Sequence, residues 1–214
     1  MTWNDVTTII SGVPWTLGVT GAALLFGIIF GFPLLMLRQS RFSALRGLML
    51  VLIALVRGVP PIVWLFIIFF GIGTDLIQIN PFSAAVITFG FIAATNMAEI
   101  YRGGLLAIHH GQYEAAESLN FNRWYKFWDV IFPQMTRVAI PSTATYAIGL
   151  LKDSAIASTI GVRELAYQGR YVTEATFHGL PVLALVGAFY ILASLPIAVI
   201  ARRTDAKLRR SVAR

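Results

Sequence analysis

The sequence predicts an all-α integral membrane protein with about five transmembrane helices. Hydrophobic residues make up 57% of the 214 residues and charged residues only 13%, roughly half the charged fraction of soluble domains. The mean hydropathy is correspondingly high, at +0.73. The charges gather in short patches that leave long apolar runs between them, and apolar runs of about 20 residues are long enough to cross a bilayer. We therefore expect one membrane domain over residues 1–214.

Each predicted span is an apolar run that ends at charged or polar residues. The first run is rich in glycine, the second contains an Arg-Gly-Val-Pro-Pro break, and the third carries Glu99 and Arg102 near its end. A helix rises about 1.5 Å per residue, so each run exceeds the roughly 30 Å of a hydrocarbon core. The five spans are predicted at 13–37, 47–72, 82–108, 130–151 and 172–201, with a polar loop at 111–129 between the third and the fourth.

The basic residues predict how the chain is oriented. Lys and Arg are enriched in cytoplasmic flanks of membrane proteins, so the net charge of +7 indicates topology rather than nucleic-acid binding. The N-terminus and the loop that carries Asp75 have no basic residue, which predicts an external N-terminus and a cytoplasmic C-terminus. The segment 152–170 then falls outside. The basic patches expected inside are Arg38, Arg41 and Arg46, then Arg123 and Lys126, then the tail from 202 to 214.

Several kinds of chemistry are excluded by the residues present. The chain has no cysteine, so it forms neither disulfides nor thiolate metal sites. His109 and His110 have no acidic residue at a metal-binding spacing, and no Gly-x-x-x-x-Gly-Lys loop for nucleotide phosphates occurs. We therefore expect that the chain is not an enzyme, binds no cofactor, and draws energy from another subunit.

The longest polar passage of the chain lies at 111–133 and reads GQYEAAESLNFNRWYKFWDVIFP. A polar segment between two apolar spans must lie in water on one face of the bilayer. Its first half is rich in helix-forming residues, with Ala115, Ala116 and Leu119 on one side at helical spacing. The passage therefore predicts a short amphipathic helix at the membrane surface, available to a docking partner.

This passage resembles the EAA loop of ABC importer permeases. Glu114-Ala115-Ala116 is followed after three residues by Asn120 and later by Ile131-Phe132-Pro133. The family has Gly where this chain has Asn120, and Asn is the next most tolerant residue in the left-handed conformation, so we predict a positive φ there. The resemblance implies that a coupling helix docks on the ATPase through Gln112, Glu114, Ala115, Ala116, Leu119, Asn120 and Arg123.

Further blocks extend the resemblance in order along the chain. Residues 55–60 look like the hvRGTPxxVQ segment of polar amino-acid permeases, with Val59 for Thr and Trp64 for Gln. Residues 98–104 and 111–112 are similar to AEIxRGG and GQ, and residues 151–155 and 160–165 to KDTSL and IGVxEL. The blocks imply a type I ABC importer permease of the histidine, glutamate, glutamine, arginine and opine group, which spans the bacterial inner membrane. The implied partners are two ABC ATPases that hold ATP and Mg, a second permease (a homodimer mate or a paralogue), a periplasmic amino-acid-binding protein, the amino acid and membrane lipid.

A substrate route is expected around the Arg57 break. Arg57 lies roughly 17 Å into its span, where a charge costs at least about 2.5 kcal/mol and needs a partner or a water-filled cavity. Glu99 lies at a similar depth, roughly 15 Å, so Arg57 either pairs with Glu99 or meets the carboxylate of the substrate. Lys152 and Asp153 form either an interfacial ion pair or an outer gate. The predicted route comprises Arg57, Gly58, Pro60, Pro61, Asn96, Glu99, Lys152 and Asp153.

An ATP-independent secondary carrier or channel for a small polar solute is the alternative function. Ion coupling would need charged or polar groups strung through the spans, and only Arg57 and Glu99 stand clearly inside. The sequence therefore favours the importer subunit.

Overall fold

A computed structural model describes residues 2–72 and 78–210, and the regular secondary structure in those ranges is helical. Asp75 and residues 211–214, which entered the predicted topology, lie outside the described residues. Short π-helical turns lie at Ile67–Ile72 and Lys126–Ile131, and a 3-10 helix lies at Ser154–Ile160. The α-helices are α1 (Trp3–Ile10), α2 (Val13–Arg38), α3 (Ser43–Gly58), α4 (Pro61–Phe66), α5 (Pro81–Leu106), α6 (His110–Ser118), α7 (Arg123–Tyr125), α8 (Phe132–Asp153), α9 (Leu165–Thr176) and α10 (Gly179–Arg210).

Helices stand at all five predicted span positions of the described chain. Three segments are long and apolar enough to cross a membrane, at Trp3–Arg38, Pro81–Leu106 and Gly179–Thr204, and the pair α3 and α4 forms a fourth if it counts as one bent span. The helix α8 coincides with the predicted span 130–151. It is more polar than the others, but its 22 residues reach about 33 Å, and it packs between α5 and α10.

The predicted break in the second span is confirmed, since α3 and the segment Pro61–Gly71 meet at 100°. Two features differ from the sequence prediction. The fifth span begins at Gly179 rather than at 172, because Phe177 takes a left-handed φ of 57° that ends α9. The polar N-terminus forms α1, because Thr2 and Asp5 make a reciprocal capping box.

The helices α2 and α5 form the centre of the bundle and run side by side in the same direction. A Cβ added at Gly27 would lie 2.6 Å from the Cβ of Ala93, and one added at Gly31 would lie 2.6 Å from the Cβ of Met97. Small residues permit such close backbone approach. Both helices end where α6 begins, and we call this side of the bundle (residues 38–43 and 106–132) the loop end. The opposite end holds α1, α9 and the start of α10.

We expect Gly31→Ala to destabilise the protein and Gly21→Ala to be harmless. The added methyl group at Gly31 collides with Met97 and the Ala94 carbonyl, whereas nothing lies within 4 Å at Gly21. Overpacking costs about 1–3 kcal/mol, which corresponds to a fall of roughly 2–12 °C in Tm. Thermal unfolding of the purified protein in detergent measures both variants, and equal Tm values would contradict the close packing.

A buried carboxylate joins three helices at the opposite end, outside the candidate spans. Glu164 is fully buried and accepts the backbone N–H groups of Tyr167 and Ala166, in the first turn of α9, at 2.7 and 2.9 Å. It also accepts the hydroxyl hydrogen of Tyr190 on α10, while the Leu165 N–H donates to Thr16 Oγ1 on α2 at 3.2 Å. Burial raises the pKa of the Glu164 carboxyl. We call this group, Glu164, Tyr190, Leu165 and Thr16, the Glu164 clasp.

Candidate functional site

The predicted surface helix is α6, and a defined C-terminal cap ends it. Asn120 has a φ of 54°, so the predicted left-handed residue is confirmed. Its N–H donates to the Glu117 carbonyl at 2.9 Å, and the Phe121 N–H donates to the Ala116 carbonyl at 3.0 Å. These two bonds form a Schellman motif, which requires a left-handed residue after the helix. The motif fixes the direction in which the chain leaves α6.

Asn120→Gly is expected to retain stability and Asn120→Val to lose it. Glycine adopts a positive φ freely, whereas a side chain with a branched Cβ pays about 1–2 kcal/mol in the left-handed region. The Tm of the two purified variants tests this, because both remove the same amide group. A valine variant as stable as the glycine variant would show that the turn does not depend on this conformation.

The two sides of α6 differ sharply in exposure. Glu114 and Ala115 are exposed, and Leu119 after the helix is 67% exposed although it is apolar. Ala116 is only 2% exposed because it faces its own bundle. The expectation that a partner approaches closely at Ala116 is therefore wrong, and Ala115 and Leu119 form the free side. Ala115, Ala116 and Leu119 lie on one side of the helix, as predicted, but only Ala116 is covered by the bundle.

Two polar contacts tie α6 to the start of α8. The Gln134 side-chain amide on α8 donates to Gln112 Oε1 at 3.0 Å. Lys126 in the π-helical turn donates to Glu117 at 2.7 Å, and this hydrogen bond lowers the pKa of Glu117. These contacts join α6 to α8 and to the π-helical turn that precedes it. Gln112 and Arg123 are both exposed, and Arg123 lines a recess beside α6.

The helix break at Pro60 carries a compensating hydrogen bond. In a continuous helix the Val56 carbonyl would accept the N–H of residue 60, which proline lacks. The Trp64 indole Nε1–H donates to that carbonyl instead, at 3.1 Å. Trp64, which stands where the similar family segment has Gln, thus stabilises the bend. Gly58 and Pro60 are exposed beside it and Pro61 begins α4.

Of the two alternatives for Arg57, the pair with Glu99 is wrong. The Glu99 carboxylate is held by Arg38 at the end of α2 and by Arg102 one turn further along α5, the latter at 3.0 Å. The side chains of Arg38 and Glu99 are 15% and 17% exposed. The two helices run in parallel and end together, which places Arg38 beside Glu99, while α3 leaves Arg57 on an exposed edge. Glu99 therefore clamps α2 to α5 at the loop end.

Tyr146, a polar residue of α8 that the sequence did not single out, lies near the predicted route residue Asn96. Its side chain is half-buried and packs against the central hydrophobic core. Lys152 and Asp153 are exposed and form no ion pair in the described part of the chain. A single tyrosine in the middle of a largely apolar run was the available signal. Tyr146 thus offers a phenol beside the amide of Asn96.

The chain is similar to known proteins over most of its length. A family model described as the inner membrane component of binding-protein-dependent transport systems matches residues 23–210. The probable amino-acid permease protein YxeN of Bacillus subtilis is 35% identical over 76% of this chain and 74% of its own length. The glutamine transport system permease protein GlnP of Escherichia coli is 30% identical over 97% of this chain and 95% of its own.

A solved structure has the same fold. The crystal structure of an amino acid ABC transporter with histidines superposes with a TM-score of 0.88 at 27% identity, covering 94% of both chains. With the α6 loop, the bent second span and most of the chain matched, this protein belongs to the family of inner membrane components of binding-protein-dependent transport systems.

Proposed function

We propose that this chain is the permease subunit of an ATP-driven importer for polar amino acids in the bacterial inner membrane. It works with two ABC ATPases, which hold ATP and Mg, with a second permease, and with a periplasmic binding protein that delivers the substrate. The amino-acid and glutamine permeases among its relatives support the substrate class. The observation that carries the proposal is α6, a capped helix with a free outer side that is tied to α8.

The direction of the chain follows from its charges. The exposed Arg41 and Arg123 lie at the loop end, with Arg46 in the first turn of α3 and Arg202 near the end of α10, and such cationic flanks are typical of the cytoplasmic side. We therefore place α6 in the cytoplasm, where the ATPases are, and α1 and α9 at the external face. This orientation also leaves the substrate residues Lys152 and Asp153 at the external end of α8.

The coupling step runs from α6 through α8. Closure of the ATPases on ATP moves the side that carries Glu114, Ala115 and Leu119. The contacts of Gln112 with Gln134 and of Glu117 with Lys126 pass this motion to α8. The helix α8 carries Tyr146 and Asp153, so the route opens and closes with it. Rigid helices that rock around a fixed site are a general means of alternating access.

The substrate route uses Arg57, because Glu99 is paired with other arginines. Glu99 is already held by two arginines, so Arg57 remains available for the carboxylate of an amino acid. Asp153 offers a counterpart for the α-ammonium group, and Asn96 and Tyr146 offer hydrogen bonds between them. Arg57 binds carboxylates with a planar fork of donors. This arrangement recognises the part that all amino acids share.

Reconstitution tests the function directly. The permease, its ATPase and its binding protein are placed in liposomes, and uptake of a panel of radiolabelled amino acids is measured. We expect uptake that requires ATP and the binding protein and is unchanged by ionophores. Uptake driven by an ion gradient in liposomes that hold the permease alone would overturn the proposal in favour of a secondary carrier.

A further inference from the structure

Two adjoining cavities run along one flank of the bundle. The first, which we call the inner groove, has a volume of about 600 Å³ and lies between α2, α5, α8 and α10. The second, the rim recess, has a volume of about 440 Å³ and lies at the loop end beside α6. Phe32 and Trp128 line both cavities. The two cavities therefore adjoin at these two rings, and we refer to them together as the channel.

The lining of the inner groove suits hydrocarbon. Its hydroxyl groups are satisfied by carbonyls of the bundle, with Tyr101 donating to Ile28 at 3.2 Å, Thr136 to Pro133 at 3.0 Å and Thr143 to Ala139 at 2.8 Å. A polar occupant would find few partners there and would pay for its lost hydration. Residues that give the groove its apolar walls include Leu24, Ile28, Met97, Ala144 and Ile197.

The inner groove is long enough to hold an acyl chain across one leaflet of a bilayer. Along α8 it extends from Phe132 to Ala147, a distance of about 22 Å at helical rise. One leaflet contributes about 15 Å to the hydrocarbon core. An acyl chain that lies in the groove thus reaches from the boundary to the middle of the membrane.

The rim recess has the character of a lipid headgroup region. The rings of Trp124 and Trp128 are 5.5 Å apart and mark the boundary, as tryptophans do at membrane interfaces. Arg123 and Lys126 line the recess outside them, with Tyr113 nearby. Lys126 is already bonded to Glu117, whereas Arg123 forms no ion pair with a described residue. The order from outside inward is cation, aromatic ring and hydrocarbon.

We propose that this channel binds an anionic glycerophospholipid of the surrounding bilayer. One acyl chain fills the inner groove, and the phosphate meets Arg123 and Lys126 in the rim recess. Because Tyr113 of α6 lines the same recess, the lipid braces the coupling helix against α2 and α8. The anionic lipid content of the membrane thereby sets how well motion of α6 reaches the bundle. This site is independent of the amino-acid route.

The test measures lipid retention, which does not require uptake. The complete transporter is placed in nanodiscs of phosphatidylcholine and phosphatidylglycerol, extracted, and weighed by native mass spectrometry. We expect Arg123→Gln to reduce the preference for phosphatidylglycerol about fivefold, since one basic residue near a membrane contributes about 1 kcal/mol. Arg41→Gln removes an exposed charge at the loop end that lines neither cavity, and it should retain the wild-type preference.

A second variant distinguishes binding of the lipid's acyl chain from binding of its headgroup. Ala144→Phe fills the inner groove and should reduce retention of both lipids, whereas Arg123→Gln lowers only the anionic one. Equal retention by the wild type and both variants would overturn the proposal. Disulfide formation between two copies of an Ile140→Cys variant would also overturn it, because the groove would then be covered by the second permease. The absence of native cysteine makes that crosslink unambiguous.

Discussion

Leu119→Glu is expected to lower ATP-driven uptake about 30-fold while the protein remains folded in the membrane. Leu119 is 67% exposed on a polar loop, an unusual position for an apolar side chain unless a partner covers it. Loss of one central anchor costs an interface about 2 kcal/mol or more, which is roughly a 30-fold change. Uptake in liposomes and co-purification of the ATPase measure the effect together.

The matched control for this prediction is Phe42→Glu. Phe42 is 69% exposed at the same end of the bundle but lies outside α6, in the connection between α2 and α3. We expect this variant to bind the ATPase and to transport normally. If Leu119→Glu co-purifies its ATPase and transports as well as Phe42→Glu does, α6 is not the docking element.

Glu99→Gln is expected to cause the largest loss of stability in the described chain. The substitution leaves Arg38 and Arg102 facing each other without the carboxylate between them. Removing one partner of a largely buried ion pair costs about 3–5 kcal/mol, and at roughly 2–4 °C per kcal/mol the Tm should fall by about 6–20 °C. Thermal unfolding of the purified permease measures the change.

Two further variants show whether charge is the cause. The double variant Arg38→Gln with Glu99→Gln removes the repulsion between Arg38 and Arg102 and should recover part of the lost Tm. Glu174→Gln removes an exposed carboxylate that lies 3.8 Å from Arg170, and surface pairs contribute only about 0–1 kcal/mol. A fall in Tm for Glu174→Gln as large as that for Glu99→Gln would refute a special role for the clamp.

Hydropathy located the elements of this fold well, and it did so because burial in a membrane depends mainly on length and polarity. The first, third and fourth predicted spans begin and end within three residues of α2, α5 and α8. The break in the second span was expected from Pro60 and Pro61, but its 100° angle depends on how Trp64 packs and bonds. The start of α10 was not predicted because the left-handed backbone conformation of Phe177, which ends α9, does not change the hydropathy of the sequence.

Some features of the candidate site could also be predicted from the sequence, and others could not. The loop motif located α6, and the φ of Asn120 followed from steric rules that act within one turn. The alternative in which Arg57 pairs with Glu99 is wrong because the depth of a residue in the membrane does not determine which neighbouring helix it faces. Which way each helix faces, and which neighbour it meets, depends on packing between distant segments. The close contact of α2 with α5 decided that Arg38 reaches Glu99 first.

The Glu164 clasp also bears on how the chain is made. Leu165 bonds to a residue 149 positions earlier, and Glu164 to one 26 positions later. A ribosome adds about 5–20 residues per second, so the carboxylate waits roughly one to five seconds for its tyrosine. A chain that ends before Tyr190 leaves the Glu164 carboxylate buried without this hydroxyl partner, so truncation within α10 should destabilise the opposite end of the bundle.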